Sequence, residues 1–292
     1  IIEKNFKCIK NILTPNNQIP LFNGGKENNL EDFTKIFDGF DNKSKDKKNI
    51  IGGIHTFTNK NNALFFEAGE PPKKSFSRSY QSGPLSFEYY LDGKKIITNC
   101  GFGSNISPKA ELLSRLTSAQ STLTLNDTSV TRFERNKLIN KVFGNSIKNT
   151  FRVNNFDFVE NKNQIKFIAS HNGYEKKFGC IHTRELSVDK LDGKLKGFDE
   201  IKKRKDGKPL NYNLRFHLYP GLTAVKTMSG NSVLIQINKN KSLIFTIKDE
   251  LILLEKSIFL GGNKIINNLC ITVSGNLHDS NKKIYWELKK NI

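Results

Sequence analysis

The chain is short of several things that would narrow its chemistry. It has one tryptophan, one methionine and four cysteines in 292 residues. Cys8, Cys100, Cys180 and Cys270 stand far apart with no C-x-x-C pair, which argues against a zinc ribbon or a small disulfide-stapled fold. Each lies among apolar or strand-like residues, so buried free thiols are expected. No apolar run approaches the ~18–20 residues of a membrane-spanning helix. No signal peptide is evident, and because the chain starts at Ile1 its true N-terminus is expected to lie upstream. Negative charge is scarce as well. Asp and Glu number 28 against 47 Lys and Arg, a net charge of +19.

Such an imbalance favours a polyanionic partner: acidic polysaccharide, nucleic acid or an anionic membrane surface. It is equally the charge that a lysine-rich solvated surface carries. The basic residues form no single arm, and the densest run, Lys202-Lys203-Arg204-Lys205, sits beside Asp206-Gly207 as an exposed turn between strands. No nucleic-acid recognition motif is present, so nucleic acid is set aside.

Aromatic residues are plentiful, with 22 phenylalanines, so the chain is not a disordered one. Ile2, Phe6, Ile9 and Leu13 recur at helical spacing until Pro15 stops the run. Asn29 caps a second helix whose apolar stripe is Leu30, Phe33, Ile36, Phe37 and Phe40. Residues 41–49 read as a charged linker. From about Ile50 the pattern changes to short runs between Gly, Asn, Asp and Lys turns. These are Ala63–Phe66, Ile165–Ala169, Tyr212–Leu218, Val233–Ile237, Leu243–Ile247, Leu251–Leu254, Ile258–Leu260 and Cys270–Val273. The expected fold is mainly β, an antiparallel sandwich over residues 50–292 preceded by helices in residues 1–40. Pro108–Leu116 is expected to hold a helical turn, and residues 134–150 to form an irregular insert.

The stretch from Arg78 to Leu125 has the spacing of a site. Leu85, Phe87, Tyr89 and Leu91 alternate with Ser86, Glu88, Tyr90 and Asp92, the period of a half-buried strand. Asp92-Gly93 is a hairpin turn, and Ile96 and Ile97 begin the return strand. A loop opens at Asn99-Cys100-Gly101 and closes at Ala119-Gln120-Ser121-Thr122. Gln81, Asn99 and Gln120 are thus expected at strand ends, converging on one point. Elsewhere, Arg215 and His217 share one strand face and suit an anionic sugar. His182 and Arg184 make a weaker version of the same pair. His55 and His278 fall in loop-like contexts, and His171 is expected to cap a turn.

The segments LFNGG, FEAG, LSFEYYLDGKKIITNCG, SAQSTLTLNDTS, SHNGYEKKFGCIHTREL, RFHLYPG and SIFLGG resemble, in order and spacing, the C-terminal region of bacterial heparinase II/III-like proteins over roughly residues 21–275. That resemblance implies a polysaccharide lyase with an α/α toroid followed by a β-sandwich, residues 1–40 being the last toroid helices. It implies β-elimination at a uronic acid: carboxylate neutralised, C5 proton taken by a base, the C4 oxygen protonated as it leaves. It also implies a cell-envelope or periplasmic location, with the cytoplasm as the alternative. The chain departs from the pattern at the metal site of such relatives. Gln81 stands where a histidine is implied, Asn99 where an aspartate is, and Gln120 where a second histidine is. Neutral amides are poor zinc ligands and no general bases, so no zinc or other cofactor is expected. Catalytic residues are left unassigned. Gln81, Asn99, Gln120, Arg215 and His217 remain as candidate sugar-binding residues, with acidic polysaccharide as the expected partner. The amides are alternatively only partners for nearby backbone groups. The function is then either lyase, if the toroid supplies base and acid, or a carbohydrate-binding or structural module with a decayed site.

Overall fold

Along Cys180–Asp189 and Leu210–Leu218 buried residues alternate with more open ones, as a pleated strand with one face on a core must. A computed structural model describes residues 11–14, 18–27, 50–136, 138–140, 144–204, 208–278 and 281–291. Its strands come in chain order as β1 (Ile50–Ile51), β2 (Ile54–Thr58), β3 (Ala63–Glu67), β4 (Phe87–Leu91), β5 (Lys94–Thr98) and β6 (Leu123–Leu125). Next are β7 (Val153–Glu160), β8 (Gln164–His171), β9 (Cys180–Asp189), β10 (Leu195–Lys203) and β11 (Leu210–Leu218). The last are β12 (Thr223–Lys226), β13 (Ser232–Asn238), β14 (Lys241–Ile247), β15 (Ile252–Phe259), β16 (Ile266–Leu277) and β17 (Asn281–Asn291). The helices between them include α1 (Pro108–Ser114) and α2 (Glu175–Phe178), both short.

The strands form two antiparallel sheets. The first has the order β1-β2-β3-β4-β5-β11-β16-β15, with β6 also on β11; the second has the order β12-β13-β14-β17-β10-β9-β8-β7. The expected antiparallel sandwich is therefore observed. Among the described residues no helix is long and apolar enough to cross a membrane. The helical stretches expected before Phe40, and the linker at 41–49, fall almost wholly outside the described residues.

The inner faces of the sheets share one core. Its centre is aromatic: Trp286 of β17 stacks on Phe87 at 5.6 Å and on Phe245 at 5.7 Å, and meets Phe216 edge-on at 4.7 Å. Gly197 of β10 pairs with Trp286, and the indole lies over its backbone in the space where a side chain would stand.

The outer face of the first sheet departs from the expected half-buried pattern. All five residues of β4 are buried, as are all five of β3. Residues 18–27 cover this face. Phe22 packs with Ala63, Phe65 and Tyr90, and Glu27 N donates to Gly261 O at 2.8 Å. Leu85, expected within the strand, precedes it with φ of 58°.

Other local expectations change as well. The two short runs at 251–260 are one strand, β15, in continuous register with β16 from Ile252↔Val273 to Phe259↔Ile266. Glu255 and Lys256 lie within it, both exposed and both paired through the backbone with β16. His55 is not in a loop but in β2, buried and stacked on Phe156 at 3.7 Å. Lys202 and Lys203 end β10 rather than lying in a turn. Cys100, Cys180 and Cys270 are buried free thiols, and α1 falls where a helical turn was expected.

The Trp286 contact sets a test of the core. A Cβ at Gly197 would lie 2.0 Å from the indole, so Gly197→Val must displace the ring and open the aromatic cluster. Overpacking of this kind costs about 1–3 kcal/mol. A lowered midpoint of thermal unfolding is expected, and an unchanged midpoint would show that the indole is not held there.

Candidate functional site

The site is built where one strand position is filled twice. β5 and β6 lie end to end along the same edge of β11: Thr98 pairs with His217, and Leu123 with Leu214. Between them residues 99–122 leave the sheet. Ser107 caps α1, its hydroxyl accepting from Ala110 N at 3.1 Å with Pro108 in the first turn, an arrangement suited to a helix start. Ser121 closes the gap on return. Its hydroxyl donates to Thr98 O at 2.6 Å and accepts from His217 N at 2.9 Å.

Gln81 and Gln120 meet at this excursion. Gln81 Nε2 donates to Gly101 O at 2.9 Å and Ser114 O at 2.8 Å, while its Oε1 accepts from Gly24 N at 3.1 Å. Gln120 Nε2 donates to the same Ser114 O at 2.8 Å. Asn99 stands beside them, with Oδ1 accepting from Ser121 N at 2.9 Å. Its Nδ2 is buried and finds no partner among the described residues. Asn99 and Gln120 flank strand ends as expected, whereas Gln81 lies in the loop before β4. Exposures of 1%, 0% and 2% for Gln81, Asn99 and Gln120 place all three beneath the surface.

His217 adjoins the amides and Arg215 lies two residues back along β11, on the same face. His217 Nε2 is 3.1 Å from Ser118 O, and Nδ1 is 3.1 Å from Ser257 Oγ and 3.6 Å from Cys100 Sγ. Burial lowers its pKa, but adjacent Cys100 and the Ser118 carbonyl outweigh that, leaving it above the usual histidine value. Arg215 is more open, with Nη1 donating to Thr124 Oγ1 at 2.7 Å and Nη2 to Asp127 Oδ1 at 3.4 Å. Its side chain is 17% exposed, so it is the cation of this group that reaches the surface.

Two acidic residues that spacing did not single out complete the surroundings. Glu67, at the end of β3, is buried, accepting from Asn23 Nδ2 at 2.9 Å and hydrogen-bonded to Ser86 Oγ at 3.2 Å. No cation pairs with it among the described residues, and burial pushes its pKa up to about 8. Asp199 of β10 is the opposite case. Burial alone would raise it, but the Arg184 charge and the His182 hydrogen bond hold it down at about 2. Arg184 Nε donates to Asp199 Oδ1 at 2.8 Å, and Trp286 Nε1 to Oδ2 at 2.9 Å.

His182 and Arg184 do share a strand face, but it is the inner one, and both are fully buried. They belong to the core and not to a sugar site. His182 Nε2 lies 2.7 Å from Asp199 Oδ1, its Nδ1 lies 3.3 Å from His171 Nε2, and His171 Nδ1 accepts from Gly173 N at 3.1 Å. Burial lowers both histidine pKa values. With both neutral, one tautomer fits each: His171 donates to His182, and His182 donates to Asp199. His171 caps its turn as expected. Arg184 Nη1 reaches across the sandwich to Leu85 O at 2.7 Å and Ser121 O at 2.8 Å, fixing both chain segments that carry the glutamines.

The donor set does not suit the metal that the sequence resemblance implies for relatives. The amide nitrogens of Gln81 and Gln120 are each directed at two carbonyls, and the unpartnered atom of Asn99 is a nitrogen that donates and cannot ligate.

A sandwich of this construction superposes on part of several solved heparan sulfate lyase and heparinase III structures. The heparan sulfate lyase HepC from Pedobacter heparinus superposes with a TM-score of 0.72 at 14% identity, over 96% of this chain and 45% of that one. Two heparinase III structures superpose with TM-scores of 0.73 and 0.72 at 14% and 13% identity, over 96% and 99% of this chain and 45% and 48% of theirs. The chain thus spans about half the length of these enzymes. No curated protein matches it in sequence. The chain belongs to the family described as heparinase II/III-like, C-terminal, whose model matches residues 46–287.

Glu67 gives the site a pH signature. Folded, its carboxyl stays protonated to about pH 8, whereas an ordinary one ionises near 4.5. The folded state therefore binds the extra proton between these values, and stability falls as pH rises through that window. The slope is about 1.4 kcal/mol per pH unit for one proton. Glu67→Gln keeps the hydrogen bonds without the titration, so its thermal midpoint should vary less across this window. A profile as steep as the parent's would refute the assignment.

Proposed function

We propose that this chain is the β-sandwich part of a polysaccharide lyase that acts by β-elimination on an acidic polysaccharide containing uronic acid. The observation that carries this is family membership over residues 46–287 together with near-complete superposition on the sandwich halves of heparan sulfate lyases. The net charge of +19 supports a polyanionic substrate. In this reading Arg215 pairs with a uronate carboxylate. Carboxylate neutralisation is the part of the reaction that lowers the barrier to removing the C5 proton. Asn99, Gln120 and His217 line the floor behind it and hold the excursion in shape, and Gln81 supports them from its loop. The base and acid are not assigned to this chain. A cell-envelope or periplasmic location fits a polymeric substrate of this kind.

A second reading is a carbohydrate-binding module without elimination chemistry. It is favoured by the amides themselves, whose donors serve backbone carbonyls and which carry no acid or base function. Turnover separates the two. The protein carrying this chain, offered a panel of uronic acid polysaccharides, should release products with the ultraviolet absorbance of a C4–C5 unsaturated uronide. Arg215→Ala should cut that rate and weaken oligosaccharide binding by roughly 1–3 kcal/mol, the range for a charge-assisted hydrogen bond. Binding without turnover would select the module, and unchanged binding in the variant would remove Arg215 from the site.

The amide set makes a separate expectation about metal. Elemental analysis of the purified protein should find no stoichiometric zinc. One zinc per chain, lost on replacing Gln81, Asn99 or Gln120, would overturn it.

A further inference from the structure

We propose that a basic groove beside the candidate site is a separate subsite for an anionic, sulfated or carboxylated oligosaccharide. The proposal rests on the reading that the protein handles acidic polysaccharide, and does not depend on elimination chemistry.

The groove consists of two adjoining cavities of about 710 and 540 Å³ that share Thr128, Ser129 and Arg132. Both volumes lie in the range of small-ligand sites. The smaller cavity is lined by Ser118, whose carbonyl faces His217, and by Asp127, which pairs with Arg215. It therefore begins at the candidate site. The larger cavity continues it between the segment before β7 and the turn around α2.

Its walls are predominantly cationic. Arg132 and Arg135 line the smaller cavity, and Arg132, Arg152, Lys176 and Lys177 line the larger. The acids among the lining residues are already engaged: Asp127 by Arg215 at 3.4 Å and Glu175 by Arg204 at 3.0 Å. The charged groups of Arg132, Arg135, Arg152 and Lys176 have no partner among the described residues. Charge here is thus unspent, unlike that of Arg184, which is fully used in the core.

The groove is also preorganised. Asn149 Oδ1 accepts from Arg132 N at 2.7 Å while its Nδ2 donates to Val130 O at 2.9 Å. Asn172 does the same for the other arginine, accepting from Arg152 N at 2.8 Å and donating its own N–H to Arg152 O at 3.2 Å. The Tyr174 hydroxyl ties the α2 turn to Leu123 O and Thr128 O, both at 3.1 Å. The backbone that carries the two arginines is thereby fixed, and what remains to be ordered on binding is their side chains.

The lining chemistry selects the ligand class. The hydroxyl residues Thr128, Ser129 and Thr150 stand among the cations, matching a polymer that carries both hydroxyl and anionic groups. The aromatic residues that line it, Phe133, Phe151 and Tyr174, are buried at 6%, 6% and 1% exposure, so no open ring is offered on which a nucleobase could stack. An acidic glycan fits this lining and a nucleic acid does not.

Binding of a size-defined heparin oligosaccharide, measured by calorimetry at moderate salt, tests the proposal. Its desulfated, carboxyl-reduced counterpart is the uncharged control. Arg132→Ala with Arg152→Ala should weaken binding roughly threefold to tenfold, the range for exposed charge contacts. Lys176→Ala with Lys177→Ala should act in the same direction through independent residues, so a folding defect in one pair leaves the other decisive. A charge-matched pair on distant strand turns, Lys60→Ala with Lys239→Ala, should bind like the parent. Equal losses in the distant and groove pairs would reduce the effect to general charge and overturn the proposal, as would parent-like binding in both groove pairs or equal binding of the uncharged control. Absence of heparin binding by the parent would overturn the groove and the polysaccharide reading together. Absence of elimination by the parent, with the groove effect intact, would overturn the lyase reading alone.

Discussion

The Arg184–Asp199 pair is the interaction on which the site depends. Both groups are fully buried, and a charge in that position is tolerable only if fully paired. Asp199 receives hydrogen bonds from Arg184, His182 and Trp286, three residues of two different strands. Arg184 then spends its remaining donor on Leu85 O and Ser121 O of the opposite sheet. One cation thereby couples the two layers of the sandwich and sets where the glutamine-bearing segments sit. The positive φ of Leu85 is explained by the same contact. A left-handed leucine costs on the order of 1 kcal/mol, and here it points a carbonyl at a buried guanidinium.

Around that anchor the molecule separates its charges by environment. Asp199 stays ionised because cationic and neutral donors surround it. Glu67, with only amide and hydroxyl neighbours, is held neutral by the same burial. Arg215 and the groove arginines stand where water or a ligand can reach them. Asp199 is buried between the two sheets, whereas Glu67 is buried with the help of residues 18–27, Asn23 donating to it directly; a solvated position would leave either carboxyl near its ordinary pKa.

Much of the sandwich was legible in the sequence because period-2 alternation survives wherever one face meets solvent, as in β8, β11 and β14. It failed where that premise failed. β4 is covered on both sides, so alternation of Leu85–Leu91 misplaced both the strand start and its exposure. The convergence of Gln81, Asn99 and Gln120 was visible as a pattern of strand ends and ordered segments. That Gln81 and Gln120 both donate to Ser114 O was not, since an amide's partners depend on the path of residues 99–122. Arg184 and His182 were placed on the correct common face but assigned to the wrong side. Nothing in a strand's own period says which face looks inward when Asp199, fifteen residues on, supplies the countercharge. Glu67 fell within the quoted segment FEAG, but neither its burial nor its lack of a cation could be read from that segment.

The shared edge of β11 has a consequence for how such a protein can change. Because β5 and β6 each hold their own register on β11, and Ser121 bridges the break, neither strand owes its pairing to the residues between Cys100 and Gln120. Those residues are tied down by buried groups, with Gln81 on Gly101 O and Ser114 O, and Arg115 on Tyr80 O and Ser77 O. Exposed positions among them, such as Lys109 and Leu113, can be exchanged without moving any strand by a residue. Chemistry at the mouth of this sandwich can therefore drift, be lost or be replaced while the scaffold that displays it stays in place.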